Sequence, residues 1–329
     1  MSEDDDLWFL PGPPIDEAPT DPPWRRAEQR AIFDARAWRR AEAAQGRGLA
    51  RAAAAFARLD ARATTGFTKR LAYAEVSALL WAQGDWMPPD KIALYGLLRE
   101  SSLKDARGLS RADWAVRRML GAGLPEDLGA FLGRHQVAFD GLEAAGWAPP
   151  LRGEFEDWQA AQIAVADCHA LTQAAALFAA WRAYGLSAPN DTLEAGVAAT
   201  KIGALEGRSL RFLPVATGGP MGQGGAVAER LARWFAAVEN ACLKAEMELD
   251  KLADWQAKAT GATTGLSGKT PPRLIKALLE TPALSAAMVA AAIGADKATA
   301  RRNLNRFATL GLIREITAQG RYRVWVANI

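Results

Sequence analysis

Near its end the chain changes period, and that change leaves few folds open to it. Three short helical runs come first: PPRLIKALLET, stopped by Pro282; SAAMVAAAIG, which Ser285 suits as a cap and Gly294 ends; and ADKATARRNLNRFATLG, ending at Gly311. Then LIREIT and YRVWVA alternate with a period of two around the glycine-containing AQGR, the pattern of two short strands and a turn. Two short helices joined by a turn at a glycine, the second of them basic, form a helix-turn-helix pattern, and a hairpin placed directly after it is a wing. Residues 273–329 are therefore expected to form a winged helix-turn-helix of three helices and a β-hairpin.

Charge supports that reading. From residue 270 onward nine Lys or Arg face three acids, a local charge of about +6 in a chain whose total is +3. On the third helix Ala300, Leu304 and Phe307 fall on one stripe, since steps of four and three return to the same face. The opposite side carries Ala298, Thr299, Arg302, Asn305, Arg306 and Thr309, with Arg301 at the flank. Arg pairs with guanine O6 and N7, and Asn with adenine N6 and N7, so this face suits double-stranded DNA. The expected division of labour puts Arg302, Asn305 and Arg306 in the major groove. Lys297, Thr299 and Arg301 hold the helix in place, and Gln319, Arg321 and Arg323 on the wing contact the backbone.

The rest reads as mainly α. Alanine, leucine, arginine and tryptophan dominate, and helix formers fill most windows. An acidic, Pro-rich tail (1–23), whose composition does not suit a core, precedes a helical domain (24–145). A Gly/Pro-rich stretch at 141–153 marks a boundary to a second helical domain (154–258), which begins with a long alanine-rich helix over 154–184. Within 24–63 ten arginines face four acids, a pattern that suits a solvated face more than a second nucleic-acid surface. Helices separated at Gly84 and Pro88–Pro89 follow, and Ser110 is the expected N-cap of the next. In the helix 226–258, Val227, Leu231, Trp234, Val238, Ala241, Ala245, Leu249 and Leu252 recur at coiled-coil spacing, which suits packing within the domain or a homodimer. The tryptophans at 81, 86, 114, 158, 181, 234 and 255 recur within helical patterns and are expected in cores.

A linker (259–272) then leads to the winged helix. It contains GLSGKT, which resembles a phosphate-binding loop only in part. That loop needs glycine five places before Gly268, where Thr263 stands, and a strand before it.

Catalytic chemistry finds no motif. Cys168 and Cys242 form no CxxC pair and read as small buried thiols. Cys168 and His169 are adjacent on a predicted helix and so point apart. The pairs Glu246/Asp250 and Glu154/Asp157 read as solvated helix faces, and no metal-ligand spacing stands out. The glycine-rich ATGGPMGQGG has a backbone suited to a phosphate but shows no preceding strand and no basic partner beside it. No cofactor is expected. No apolar run approaches the roughly 20 residues of a membrane span, and the N-terminus is acidic where a signal peptide is basic, so a cytoplasmic protein is expected.

The ending LNRFATLGLIREITAQGRYRVWVA resembles the winged helix at the C-terminus of many Fic-type proteins. Fic enzymes transfer nucleotidyl groups through a His-Pro-Phe-x-x-Gly-Asn-Gly-Arg loop, whereas GRHQVAF at His135 and DCHALTQ at His169 do not resemble it. The resemblance implies the DNA-binding-like module without the transferase chemistry. More of the chain, from about residue 70 to 329 and including LSRADWAVRRMLGAG, is similar to an uncharacterised, often plasmid-encoded family of rhizobia and related alphaproteobacteria. In that family a domain of unknown function precedes a helix-turn-helix domain. The residues thus point to a DNA-binding transcriptional regulator whose helical region dimerises or senses a small-molecule effector. Two alternatives stay open: a Fic-related or other ligand-binding or enzymatic helical domain with an accessory winged helix, and a protein–protein assembly factor.

Overall fold

The computed structural model describes residues 33–99, 105–121, 131–132, 152–188, 190–221, 224–317 and 322–329. The 1–23 tail, most of the 141–153 boundary, and the wing residues Gln319 and Arg321 lie outside them.

Asp34 opens α1 (Ala35–Ala44) by accepting from the Arg36 N–H at 2.9 Å. After α2 (Gly46–Arg62), the Thr64 hydroxyl accepts from the Phe67 N–H at 3.3 Å and starts α3 (Thr65–Ala82). Gly84, at φ 92°, and Pro88 separate α3 from α4 (Pro89–Leu98), as the sequence pattern predicts. A proline at the first helical position gives up an N–H that the helix would leave unpaired. The next helix, α5 (Ala106–Leu120), stops at Gly121 but starts a turn earlier than expected, so Ser110 lies inside it and is not its cap. The extra turn buries Leu109.

The expected single helix over 154–184 is two, α6 (Arg152–Ala164) and α7 (Ala170–Ala183). The break is fastened by α1: Arg39 reaches Asp167 and the Ala164 carbonyl, both at 2.6 Å, and Glu42 accepts from the His169 N–H at 3.0 Å. Cys168 and His169 therefore sit in the break, where the His169 Nδ1 caps α7 by accepting from the Leu171 N–H at 3.1 Å. α8 (Leu193–Gly203), a 3-10 turn (Ala216–Gly218) and α9 (Val227–Thr263) follow.

Side chains from Trp38 to Ala245 share one hydrophobic core, so helices before and after the 141–153 stretch build a single body where the sequence suggested two domains. Two buried carboxylates tie down its long loop. Asp60 accepts from the N–H groups of Arg208, Ser209 and Leu210 at 2.6–2.9 Å, and Glu75 from those of Val215, Ala216 and Thr217 at 2.8–3.2 Å. Of the tryptophans expected in cores, Trp114, Trp158, Trp181, Trp234 and Trp255 are buried. Trp81 and Trp86 are 66% and 64% exposed, meeting edge to face at 6.3 Å.

The apolar seam of α9 faces this chain's own helices: Leu231, Trp234, Val238, Ala241, Ala245 and Leu252 are all buried, and Val227 and Leu249 are partly so. Beside it the arginines of α2 meet α9 carboxylates, Arg51 with Glu239 at 3.3 Å, Arg58 with Glu246 at 3.4 Å, and Arg62 with Asp250. The pairs step along both helices in the same direction, so this basic stretch is a charge-matched helix contact. Exposed pairs of this kind contribute about 0–1 kcal/mol each, enough to set register rather than stability. Among the described residues no helix is long and apolar enough to cross a membrane.

The C-terminal residues form α10 (Thr270–Glu280), β1 (Ala283–Ser285), α11 (Ala286–Ile293), α12 (Lys297–Thr309), β2 (Ile313–Glu315) and β3 (Val324–Ala327). The stretch expected as a linker is mostly helix. Residues 259–263 finish α9 and 270–272 start α10, which leaves 264–269 as the loop.

Candidate nucleic-acid interface

The C-terminal helices start and stop where local chemistry tells them to. Pro271 and Pro272 occupy the first turn of α10. The Ser285 hydroxyl accepts from the Met288 N–H at 3.3 Å to start α11, and Gly294, at φ 67°, ends it in a left-handed turn that glycine adopts without strain. Arg273 donates to the Ile293 carbonyl at 3.0 Å and closes the same end. Asp296 then opens α12, its carboxylate accepting from the Thr299 N–H at 2.8 Å and the Thr299 hydroxyl at 3.0 Å. Those two bonds hold the Asp296 carboxyl below the usual carboxylate range.

The hairpin gains a third strand that the sequence did not announce. β1 pairs antiparallel with β3 (Ala283 opposite Val326, Ser285 opposite Val324), and β2 pairs with the other edge of β3 (Ile313 opposite Ala327, Glu315 opposite Trp325). Alternation along β3 sends Trp325 and Ala327 into a core with Leu274, Leu304 and Phe307, and Val324 and Val326 to the outer face, where Ala93 of α4 covers them. β1 is only three residues long and follows a proline, too short for a period to show.

This unit is joined firmly to the helical body. The last turns of α9 supply Leu252, Trp255 and Ala259 to its core, and the buried Trp255 indole donates to the Leu312 carbonyl at 2.7 Å. Arg70 on α3 caps the C-terminal end of α10, donating to the Leu279 carbonyl at 2.8 Å and to that of Leu278. Burial pushes the Arg70 guanidinium down to about 10. Arg314 on β2 pairs with Asp90 on α4.

The exposed residues of α12 fall into two neighbouring stripes. Lys297, Arg301 and Asn305, one turn apart in succession, line a cleft of about 550 Å³ whose other wall is Tyr322 and Arg323 at the start of β3. Ser285 and the first residues of α11 form its floor, and Leu98 of α4 lies at its edge. Arg302 and Arg306 project from the adjoining face, roughly 100° round the helix from Arg301 and Asn305, and are exposed. Ala300, Leu304 and Phe307 face the core, as their stripe requires.

Thr299 holds Arg302 from below, its hydroxyl accepting from the guanidinium at 2.9 Å. Among the described residues no carboxylate forms an ion pair with Lys297, Arg301, Arg302 or Arg306, in contrast to the matched arginines of α2. Arg323 is half-exposed and faces Glu315 across the hairpin at 3.5 Å, so its charge is partly met. Arg314 is turned to the body.

Of the predicted site residues, the structure brings Lys297, Arg301, Asn305 and Arg323 to one cleft, sets Arg302 and Arg306 beside it, and leaves Thr299 at the helix start. Gln319 and Arg321 fall outside the described residues. The sequence reading missed Tyr322, which is 68% exposed with a left-handed φ of 59° beside the cleft, a conformation uncommon for a residue with a side chain. Its place at the hairpin turn was a readable signal. Ser285 and Leu98 were also missed, and Leu98 gave no signal because it reaches the cleft across nearly two hundred residues of chain.

Residues 271–326 match the family model of an HTH DNA binding domain. No curated protein matches the chain. A helix-turn-helix DNA-binding domain is thus present at the C-terminal side of this mainly helical protein, in a winged arrangement.

Proposed function

We propose that the protein is a transcriptional regulator that docks α12 in the major groove of double-stranded DNA and lays the β2–β3 wing over the adjacent backbone. The observation that carries this reading is the cationic face of α12, which forms no ion pair with a carboxylate among the described residues. Its four cations are charge that phosphates neutralise, and its two stripes suit different tasks. Lys297, Arg301 and Arg323 line a cleft of about 550 Å³ whose cations suit backbone phosphates. Arg302 and Arg306, with Asn305 at the near edge of the cleft stripe, are placed for base edges. The matched HTH DNA binding domain is in keeping with such a regulator, and the reading places it in the cytoplasm.

The test is binding of the full-length protein to fragments of its own upstream region across a range of salt, beside an Arg302→Ala/Arg306→Ala variant. Neutralising about four to six phosphates per protomer gives a steep fall of affinity with salt, a log–log slope of roughly −4 to −5. Replacing Arg302 alone lowers discrimination between sequences by about 1–3 kcal/mol if it reads a base. Equal weakening on every sequence reassigns it to phosphate contact. Absence of binding at any salt refutes the reading.

A further inference from the structure

At the far end of the body from the winged helix, two buried donors stand without hydrogen-bond partners among the described residues. Arg230, in the first turns of α9, lies with its guanidinium carbon 5.4 Å from the centroid of the Trp38 ring, and its Nε is buried with no hydrogen-bond partner. One turn along, Trp234 is 4% exposed, and its Nε1 is likewise buried and unpartnered. Both line one niche with Trp38, Phe178 and Met221, and Arg233 stands at its mouth, donating to the Gly224 carbonyl. Among the described residues no carboxylate forms an ion pair with Arg230 or Arg233.

Buried polar groups are nearly always satisfied, and an arginine Nε–H withdrawn from water without an acceptor is costly. The aromatic face of Trp38 offsets only part of that. Burial, together with the neighbouring Arg233, lowers the Arg230 pKa. The fold brings two basic groups, Arg230 and Arg233, to Pro220 and Met221. The free space of the niche is about 10 Å³, room for roughly one water or one oxygen atom.

We propose that this niche binds the oxyanion group, carboxylate or phosphate, of a small effector, one oxygen accepting from the Arg230 Nε–H and the Trp234 Nε1–H while the remainder of the ligand stays at the mouth beside Arg233. A water molecule satisfies the two donors but not the charge, and an apolar ligand satisfies neither. The proposal stands apart from DNA binding, and its test does not use DNA.

Isothermal titration of the full-length protein with inorganic phosphate and with acetate, each at constant ionic strength set with sodium chloride, reads the site directly. Saturable binding of one or both is expected, and which of them binds identifies the head group. Arg230→Gln and Trp234→Phe are each expected to weaken it at least about tenfold. Trp234→Phe keeps an aromatic ring in the core, so a folded variant is available even if Arg230→Gln destabilises the body. No saturable heat with either anion, or binding unchanged in a folded Trp234→Phe variant, overturns the assignment.

Discussion

Gly66→Ala separates what helix propensity expects from what the structure demands. Gly66 is the second residue of α3, and on propensity alone alanine there favours the helix by up to about 1 kcal/mol. A Cβ at this position, however, stands 1.9 Å from the Leu279 carbonyl oxygen and 2.6 Å from the Glu280 Cα. Both obstacles are backbone, so no rotamer change relieves them. Either α3 or the end of α10 must move, and the Arg70 bonds to the Leu278 and Leu279 carbonyls go with the movement. Overpacking of this kind costs about 1–3 kcal/mol, and a charged donor bond lost from a buried site about 1.5–3 kcal/mol more. The variant should therefore lose roughly 3 kcal/mol or more, opposite in sign to the propensity effect. Urea unfolding gives the magnitude, and hydrogen exchange gives the place, with protection falling first in residues 270–280. Gly261→Ala is the control: that glycine lies in α9, a Cβ there meets nothing within 4 Å, and the variant should gain up to about 1 kcal/mol. A Gly66→Ala protein as stable as its parent, with unchanged exchange in α10, refutes the close contact between body and winged helix.

Two further substitutions probe the interior. Glu194 is buried beside Asp191, and burial first, then that neighbouring charge, pushes its carboxyl up to about 7 from 4.5, against the opposing effects of the Ser187 hydroxyl and Arg111. The folded state then holds a proton that the unfolded chain has released, so stability present below about pH 4.5 is lost as pH rises to about 7, by roughly 3 kcal/mol. Glu194→Gln should flatten that slope when urea midpoints are compared at acid and neutral pH, and an unchanged slope shows that another group titrates. Trp255→Phe keeps the ring but removes the indole bond to the Leu312 carbonyl, which still accepts from the Asn328 N–H at 3.0 Å, an expected loss of about 0.5–1.5 kcal/mol in thermal unfolding. Stability equal to the parent's would mean that the Asn328 bond alone suffices for that carbonyl.

What the sequence made legible follows the range of the interactions. Pro88–Pro89, Gly121, Ser285, Gly294 and Gly311 act on their own neighbours, and the helix ends they predict stand where expected. Misreadings arise where a distant residue decides. The 154–184 run has helix formers throughout, yet breaks at 165–169 because Arg39 and Glu42, far back in the chain, bind the break. The arginines of α2 are indistinguishable in sequence from those of α12. Only the fold shows that α9 carboxylates meet Arg51, Arg58 and Arg62 and that, among the described residues, no ion pair meets the cations of α12. Trp81 and Trp86 share helical spacing with the buried tryptophans, and nothing local marks them as exposed.

One helix ties these observations together. α9 places Arg230 and Trp234 in the oxyanion niche near its start and Trp255 and Ala259 in the core of the DNA-binding domain near its end, roughly 37 Å apart at 1.5 Å per residue. Its middle is fixed along α2 by the ladder of ion pairs from Arg51 to Arg62. A long helix packed on both flanks moves as a rod, since bending it opens a core on one side or the other. The winged helix is held at three further points, by Arg70, by Arg314 with Asp90, and by α4 over the outer face of the sheet. A domain hung on a flexible tether would search DNA independently of its body. Here the face of α12 keeps the orientation the body gives it, because the contacts that fix it are packed side chains and ion pairs rather than a loop.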